Sequence, residues 1–190
     1  MTDIVARGVN FVYAREFVVA ERGDAAWPAI VQRMPTDAAA IWNKPFSLLG
    51  TYSFSAFKAL APAIRGAGRA DSDETLARMY EFIAERSLNS VYKVFFRLTK
   101  PSFVIGNYPK LWSRFFTTGT VAVSELAEDG AVVTFTVPEI FLDWLPPACL
   151  GYSRKAVALA GGSELRMQPI PPVRLPNGDW EAAFRLAWRR

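Results

Sequence analysis

The 190-residue sequence contains no histidine. Ser-His-Asp and Cys-His catalysis both move a proton through an imidazole near neutral pH, so both are excluded. Cysteine occurs once, at Cys149. That rules out an intrachain disulfide and any zinc site assembled from cysteine and histidine, so no metal is expected. No run approaches the roughly 18 consecutive apolar residues that a membrane-spanning helix needs. The opening Met1-Thr2-Asp3-Ile4-Val5-Ala6-Arg7 lacks the charged-then-apolar order of a secretory signal. With a lone cysteine suiting a reducing compartment, a cytoplasmic soluble domain is expected. Phosphate-binding loops are missing too. There is no Walker A sequence, and Gly66 and Gly68 follow no strand and lack the third glycine of a dinucleotide fingerprint. Tyr152 and Lys155 are spaced Y-x-x-K, one residue short of the pair used by short-chain reductases. Gly151-Tyr152-Ser153-Arg154 runs into Lys155 where a nucleophile elbow needs glycine.

Apolar residues make up 51% of the chain and aromatics 14%; the net charge of +4 describes an ordinary soluble surface. Its distribution is uneven. No acid lies between Glu85 and Glu125, whereas Arg86, Lys93, Arg97, Lys100, Lys110 and Arg114 all do. Tyr92, Phe95, Phe96, Phe103, Tyr108, Trp112, Phe115 and Phe116 interleave with them. Such a segment could meet an anionic membrane surface, or form a core helix whose exposed side snorkels its cations. No nucleic-acid partner is expected. Glu139 and Asp143 could share a helix face as an acid-base pair, but they flank Ile140, Phe141, Leu142 and Trp144 and read better as the wet edge of a buried segment. Cys149, between Ala148 and Leu150, reads as a small buried hydrophobe. It is a possible reactive thiol if Arg154 and Lys155 face it.

Periodicity divides the chain in two. Asn10 is a candidate N-cap for a helix over 11–22 that Gly23 stops, and Asp24 for a second helix through Trp27, Ile30, Val31 and Met34 to Pro35. Short helical pieces are expected at Thr36 to Trp42 and Ser53 to Ile64, with a loop at Gly66-Ala67-Gly68. Asp71 and Glu74 form a capping box ahead of the longest pattern, where Leu76, Met79, Tyr80, Ile83, Leu88, Val91, Phe95 and Leu98 recur on one face. That helix should reach about Arg97, bend near Asn89-Ser90 and end at Pro101. Another is expected at Pro109 to Phe116. The period then becomes two, with strands at Thr120 to Leu126 and Ala131 to Val137. A helix opened by Pro146-Pro147 runs to Gly161-Gly162, and strands follow at Glu164 to Ile170 and Trp180 to Trp188. The fold class expected is α+β in a single domain over 1–190. Its helical N-terminal half packs on an antiparallel sheet of about four strands from the C-terminal half.

Two stretches carry a resemblance to known domains. Gly8-Val9-Asn10-Phe11 through Glu16-Phe17-Val18-Val19 to Gly23-Asp24-Ala25-Ala26-Trp27 is similar to the opening of haem NO-binding domains. Lys100-Pro101-Ser102, Pro109-Lys110-Leu111-Trp112 and Phe116-Thr117-Thr118-Gly119 precede a hairpin, the Gly151-Tyr152 helix, Gly161-Gly162 and a terminal strand ending in Ala187-Trp188-Arg189. That order resembles an uncharacterised myxobacterial paralogous family and, more distantly, 4-vinyl reductase domains and TRAPP vesicle-tethering subunits. The resemblance implies helices on an antiparallel sheet with an apolar cavity between them, used by different members for haem, small hydrophobic molecules or an acyl chain. Two departures bear on function. There is no histidine to hold haem iron, and Tyr152-Ser153-Arg154 compresses the Tyr-x-Ser-x-Arg signature. A tyrosine such as Tyr92 is a conceivable haem ligand in its place.

The reading that follows is a non-enzymatic ligand-binding or sensory module without haem or other cofactor. It would hold a small apolar ligand among Phe95, Phe96, Phe103, Trp112, Phe115 and Phe116, with Arg97 or Arg114 as a polar anchor. A filled aromatic core would look the same in sequence. The alternatives are a protein-interaction scaffold acting as a homodimer, and peripheral membrane binding by the segment Tyr92 to Phe116. Enzyme chemistry without histidine stays open, with no reaction indicated.

Overall fold

The computed structural model describes residues 4–65, 69–92 and 100–189, with backbone alone at 65, 69–72 and 89–92. Strand β1 (Val5–Arg7) leads directly into helix α1 (Gly8–Arg22). Glycine is required at the junction: a Cβ on Gly8 would lie 1.8 Å from the Ser47 carbonyl oxygen. Helix α1 ends at Gly23, whose φ of 76° lies in the left-handed region that glycine adopts without strain. Asn10 is not its N-cap. The helix starts earlier because β1 pairs antiparallel with β2 (Thr51–Ser53), which holds Arg7 extended at the helix entrance. Asn10 thereby falls inside the first turns, completely buried.

The second expected helix is a 3-10 turn (Asp24–Ala26) followed by α2 (Trp27–Gln32), with Pro28 tolerated in its first turn. Helix α3 (Thr36–Trp42) lies where expected, and the next helical stretch is broken into α4 (Phe54–Lys58) and α5 (Leu60–Arg65). The Gly66-Ala67-Gly68 loop lies outside the described residues. Helix α6 (Arg69–Tyr92) begins ahead of Asp71, so the expected capping box falls within it. Its expected extension to Arg97 is outside the described residues. Leu76, Met79, Tyr80, Ile83 and Leu88 form its buried face. Pro101 opens a helix, α7 (Pro101–Gly106), since a proline costs no hydrogen bond in a first turn; the helix end it was expected to close lies outside the described residues. Helix α8 (Tyr108–Phe115) follows.

The C-terminal half supplies β3 (Thr120–Ser124), β4 (Gly130–Val137), helix α9 (Leu145–Leu159), β5 (Ser163–Arg174) and β6 (Trp180–Arg189). A 3-10 turn (Glu139–Phe141) precedes α9. The four strands form one antiparallel sheet in the order β3-β4-β6-β5. The fold is therefore α+β, with mostly N-terminal helices on a C-terminal sheet. Along β6, Ala182, Phe184, Leu186 and Trp188 are buried while Glu181, Arg185 and Arg189 are exposed, the period-two alternation of a half-buried strand. Helices α6 and α9 meet closely at Gly151, where a Cβ would stand 1.9 Å from the Ala77 carbonyl oxygen. Ion pairs flank this contact. Glu81 and Glu85 of α6 bind Arg154 and Lys155 of α9, while Arg78 and Arg86 bind Glu21 and Glu16 of α1.

Candidate functional site

Helix α8 has a strongly divided surface: Tyr108, Leu111 and Phe115 are buried, and Lys110, Ser113 and Arg114 are exposed. Its apolar side faces α6, α9 and the β3–β4 end of the sheet across a cavity of about 60 Å³. Tyr80 reaches the wall from α6, Val121 and Phe135 from the sheet, and Leu145, Ala148, Cys149 and Tyr152 from α9. Trp112, Phe115, Phe116 and Trp144 complete the aromatic part of the lining, and the cavity is partly open. These rings are tightly packed. Trp112 and Phe116 have centroids 4.3 Å apart, and Trp144 stands edge-on to Phe54, Tyr80 and Phe116 at 5.1, 5.2 and 5.3 Å.

Each tyrosine hydroxyl in the wall has a protein partner. Tyr108 donates to Ser153 Oγ at 2.8 Å, and Ser153, one turn beyond Cys149, is fully buried. Tyr152 and Ser87 hydroxyls lie 3.4 Å apart. Tyr80 donates to Asn10 Oδ1 at 3.0 Å, and Asn10 Nδ2 donates to the Phe115 carbonyl at 2.8 Å and the Arg7 carbonyl at 3.3 Å. One buried amide thus ties α1, α6 and α8 together. Burial holds the Tyr80 and Tyr108 hydroxyls well above the ordinary phenol range; nearby Tyr152 adds to the effect at Tyr80, and Cys149 at Tyr108. Burial also pushes the Cys149 thiol up to about 12, against a smaller opposing effect of its contact with Ser153. The wall is electrically neutral at physiological pH. Trp144 Nε1 is buried without a nitrogen or oxygen partner, among the aromatic rings that surround the indole.

Of the residues proposed from sequence, Trp112, Phe115 and Phe116 line the cavity. Phe103 does not: it sits on the outer side of α7, 60% exposed. Arg114 is likewise on the solvent side of α8, outside the wall, because helical spacing turns it away from Leu111 and Phe115. Phe95, Phe96 and Arg97 lie outside the described residues, as does the side chain of Tyr92. Cys149 lies in the wall, but its buried, protonated thiol lacks the electropositive, accessible setting of a reactive one. Arg154 and Lys155 do not face it; they are engaged with Glu81 and Glu85. Asp143 binds Lys58 at 2.5 Å rather than pairing with Glu139. Sequence reasoning missed Tyr80, Tyr108, Tyr152, Ser153 and the true place of Asn10. The available signal was a run of polar-tipped residues at otherwise apolar helix positions.

No family model matches the sequence, and no curated protein matches it. Solved structures do match over nearly the whole chain. The Fe(II) unliganded H-NOX protein from K. algicida has a TM-score of 0.67 at 14% identity, covering 97% of each chain. A mutant of the T. Tengcongensis H-NOX has 0.68 at 8% identity, over 97% of this chain and 98% of that one. An oxygen-binding H-NOX domain related to soluble guanylate cyclases, solved as its oxygen complex, has 0.65 at 9% identity, over 96% and 93%. The chain therefore has the H-NOX type of fold, as the haem NO-binding resemblance implied.

That fold raises the question of haem, and the described residues do not fit it. The sequence has no histidine. Both wall tyrosines with resolved shifts are hydrogen-bonded and held neutral, and the thiol titrates far above physiological pH. No wall residue carries a positive charge to receive a porphyrin carboxylate, and the void is smaller than the roughly 150 Å³ that holds one benzene.

Proposed function

We propose that this chain is a haem-free ligand-binding module of the H-NOX type of fold, holding a small uncharged apolar molecule in the cavity between α6, α8, α9 and the sheet. One observation carries this reading. The cavity is partly open and lined by aromatic and aliphatic groups, and its wall hydroxyls are bonded to protein partners, leaving shape and apolar contact as the means of recognition. The fold similarity adds a sensory context, since one similar structure is an oxygen-binding domain related to guanylate cyclases. A sensory module of this kind would report occupancy through movement of the elements around the ligand. Here those elements are α6, α8 and α1, joined at Asn10.

The experiment is native mass spectrometry of gently purified protein, with thermal melts under xenon and small hydrocarbons. A ligand present at 100 times its dissociation constant raises stability by about 2.7 kcal/mol, which is readily seen as a shifted melting temperature. Ala148→Leu, which fills the void from α9, should abolish the shift while leaving the fold intact. The reading fails if no compound shifts the melt, or if added hemin gives a stoichiometric Soret band.

A further inference from the structure

The turn between α3 and β2 presents two adjacent exposed leucines: Leu48 is 49% and Leu49 87% exposed. It is held rigidly. The Gly50 amide donates to the Ser47 carbonyl at 3.0 Å, the Ser47 amide to the Tyr52 hydroxyl at 2.8 Å, and the Gly8 amide to the Gly50 carbonyl at 2.7 Å. The backbone of Gly8 packs against Ser47 too closely to admit a Cβ. Two leucines on a braced turn lose little further freedom on being covered, which favours association.

Among the described residues, the charged side chains on the segments around this turn are basic. Arg7 pairs with Thr51 at the turn end of β1–β2, and its Nε donates to the Ser113 carbonyl at 3.1 Å, which brings α8 alongside. The described residues of the segments that meet here, 4–15, 38–58 and 100–124, include no Asp or Glu. They carry Arg7 and the exposed Lys44 and Lys110. Ion pairs lie elsewhere, in the α1–α6–α9 contacts and at Arg185–Glu125 and Arg189–Glu164, which leaves Lys44 and Lys110 outside them. Of the aromatics in the segment expected to serve as a membrane anchor, Trp112, Phe115 and Phe116 are turned into the core and Phe103 is exposed on α7, whereas the leucine turn offers two adjacent exposed aliphatic side chains.

We propose that the Leu48-Leu49 turn docks the protein onto an anionic membrane surface. The leucines enter the boundary between headgroups and acyl chains, and Arg7, Lys44 and Lys110 face the lipid phosphates and carboxylates. An aliphatic tip carried on segments that hold cations and no acids suits that surface.

Co-sedimentation with vesicles of phosphatidylcholine and phosphatidylserine, against phosphatidylcholine alone, tests this. The protein should bind the anionic vesicles, and raised salt should release it by screening the exposed charge. Leu48→Ser with Leu49→Ser should weaken partitioning by roughly tenfold or more, as two aliphatic side chains are lost from the contact, with an unchanged melt. Leu49→Ser alone should give an intermediate loss. Leu49→Cys labelled with an environment-sensitive dye should shift blue on the vesicles, because the native Cys149 is buried from the reagent. Absent binding at low salt, or binding indifferent to the serine substitutions, overturns the proposal. Self-association in light scattering that the substitutions abolish, without vesicle binding, would assign the turn to a second copy of the chain instead.

Discussion

Replacing Asn10 with leucine, which keeps nearly the same size, tests the link between the cavity and α1 directly. Asn10 is fully buried, accepts from Tyr80 and donates to the Phe115 carbonyl. Leucine would leave the Tyr80 hydroxyl and that carbonyl buried without their partner. Each orphaned group costs about 1–3 kcal/mol, so Asn10→Leu should destabilise the fold by about 2–5 kcal/mol. Tyr80→Phe removes one of the two orphans in advance. The double variant Asn10→Leu/Tyr80→Phe should then be less destabilised than the sum of the singles, with a coupling of about 1–2 kcal/mol. Urea denaturation of the four proteins measures all of these quantities. The slope should stay constant across the set, since the surface exposed on unfolding is the same. A loss under about 1 kcal/mol for Asn10→Leu, or strict additivity with Tyr80→Phe, would refute the idea that this amide joins three helices through stabilising hydrogen bonds.

Two further outcomes follow from the same interior. The Cys149 thiol ordinarily titrates near 9.0 and in the fold near 12, so the folded state retains a proton that the unfolded chain releases. Stability is then complete below about pH 9 and falls as pH rises, by about 1.4 kcal/mol at pH 10, before the buried tyrosines add a loss of the same sign. Cys149→Ala should flatten melting temperature against pH between about 9 and 10; an unchanged slope would remove the thiol as its source. At the α6–α9 contact, Gly151→Ala puts a methyl against backbone that has no room for it, 1.9 Å from the Ala77 carbonyl oxygen. It should cost about 3 kcal/mol or more in a urea melt, and a loss below about 1 kcal/mol would show that the helices separate freely there.

The parts of the fold legible in sequence are those with enough residues to show a period. Strand β3 alternates over its five residues and β4 from Val133 to Val137, and α6 repeats its apolar face from Leu76 to Leu88. Strands β1 and β2 have three residues each, too few for any pattern, yet their pairing decides where α1 begins. Pro101 shows a second kind of ambiguity, because proline ends one helix and starts another by the same missing amide hydrogen. The cavity was half visible. Leu111 and Phe115 declare the inner side of α8 by their spacing of four, and Trp112 and Phe116 lie beside them. Tyr80, Ala148 and Tyr152 come from helices whose mutual placement depends on the close approach at Gly151, which nothing local encodes. Asn10 misled for a physical reason: the same side chain that caps a helix end can satisfy backbone and hydroxyl groups inside a core, and only the third dimension distinguishes them.

A void that survives in a core this rich in rings needs an energetic account. At about 24 cal/mol per Å³, 60 Å³ corresponds to about 1.4 kcal/mol of forgone packing. Water relieves little of it, because a water molecule wants two to four polar partners and the wall hydroxyls already have theirs. Collapse is resisted because the large rings are fixed from behind. Tyr80 is held by Asn10, Tyr108 by Ser153, and Trp112 by its indole hydrogen bond to the Thr118 carbonyl at 3.0 Å. Moving any of these inward breaks a buried hydrogen bond costing about 1–3 kcal/mol, as much as closing the void returns. The same balance sets the size of what can enter. A molecule that fits the existing space recovers the packing at no such cost, whereas a larger one must displace a tethered ring and lose a hydrogen bond that it has no polar group to replace. Affinity should therefore fall steeply once ligand volume exceeds the void. Weakening a tether, as Tyr108→Phe does, should move that limit towards larger ligands in the same thermal-shift series.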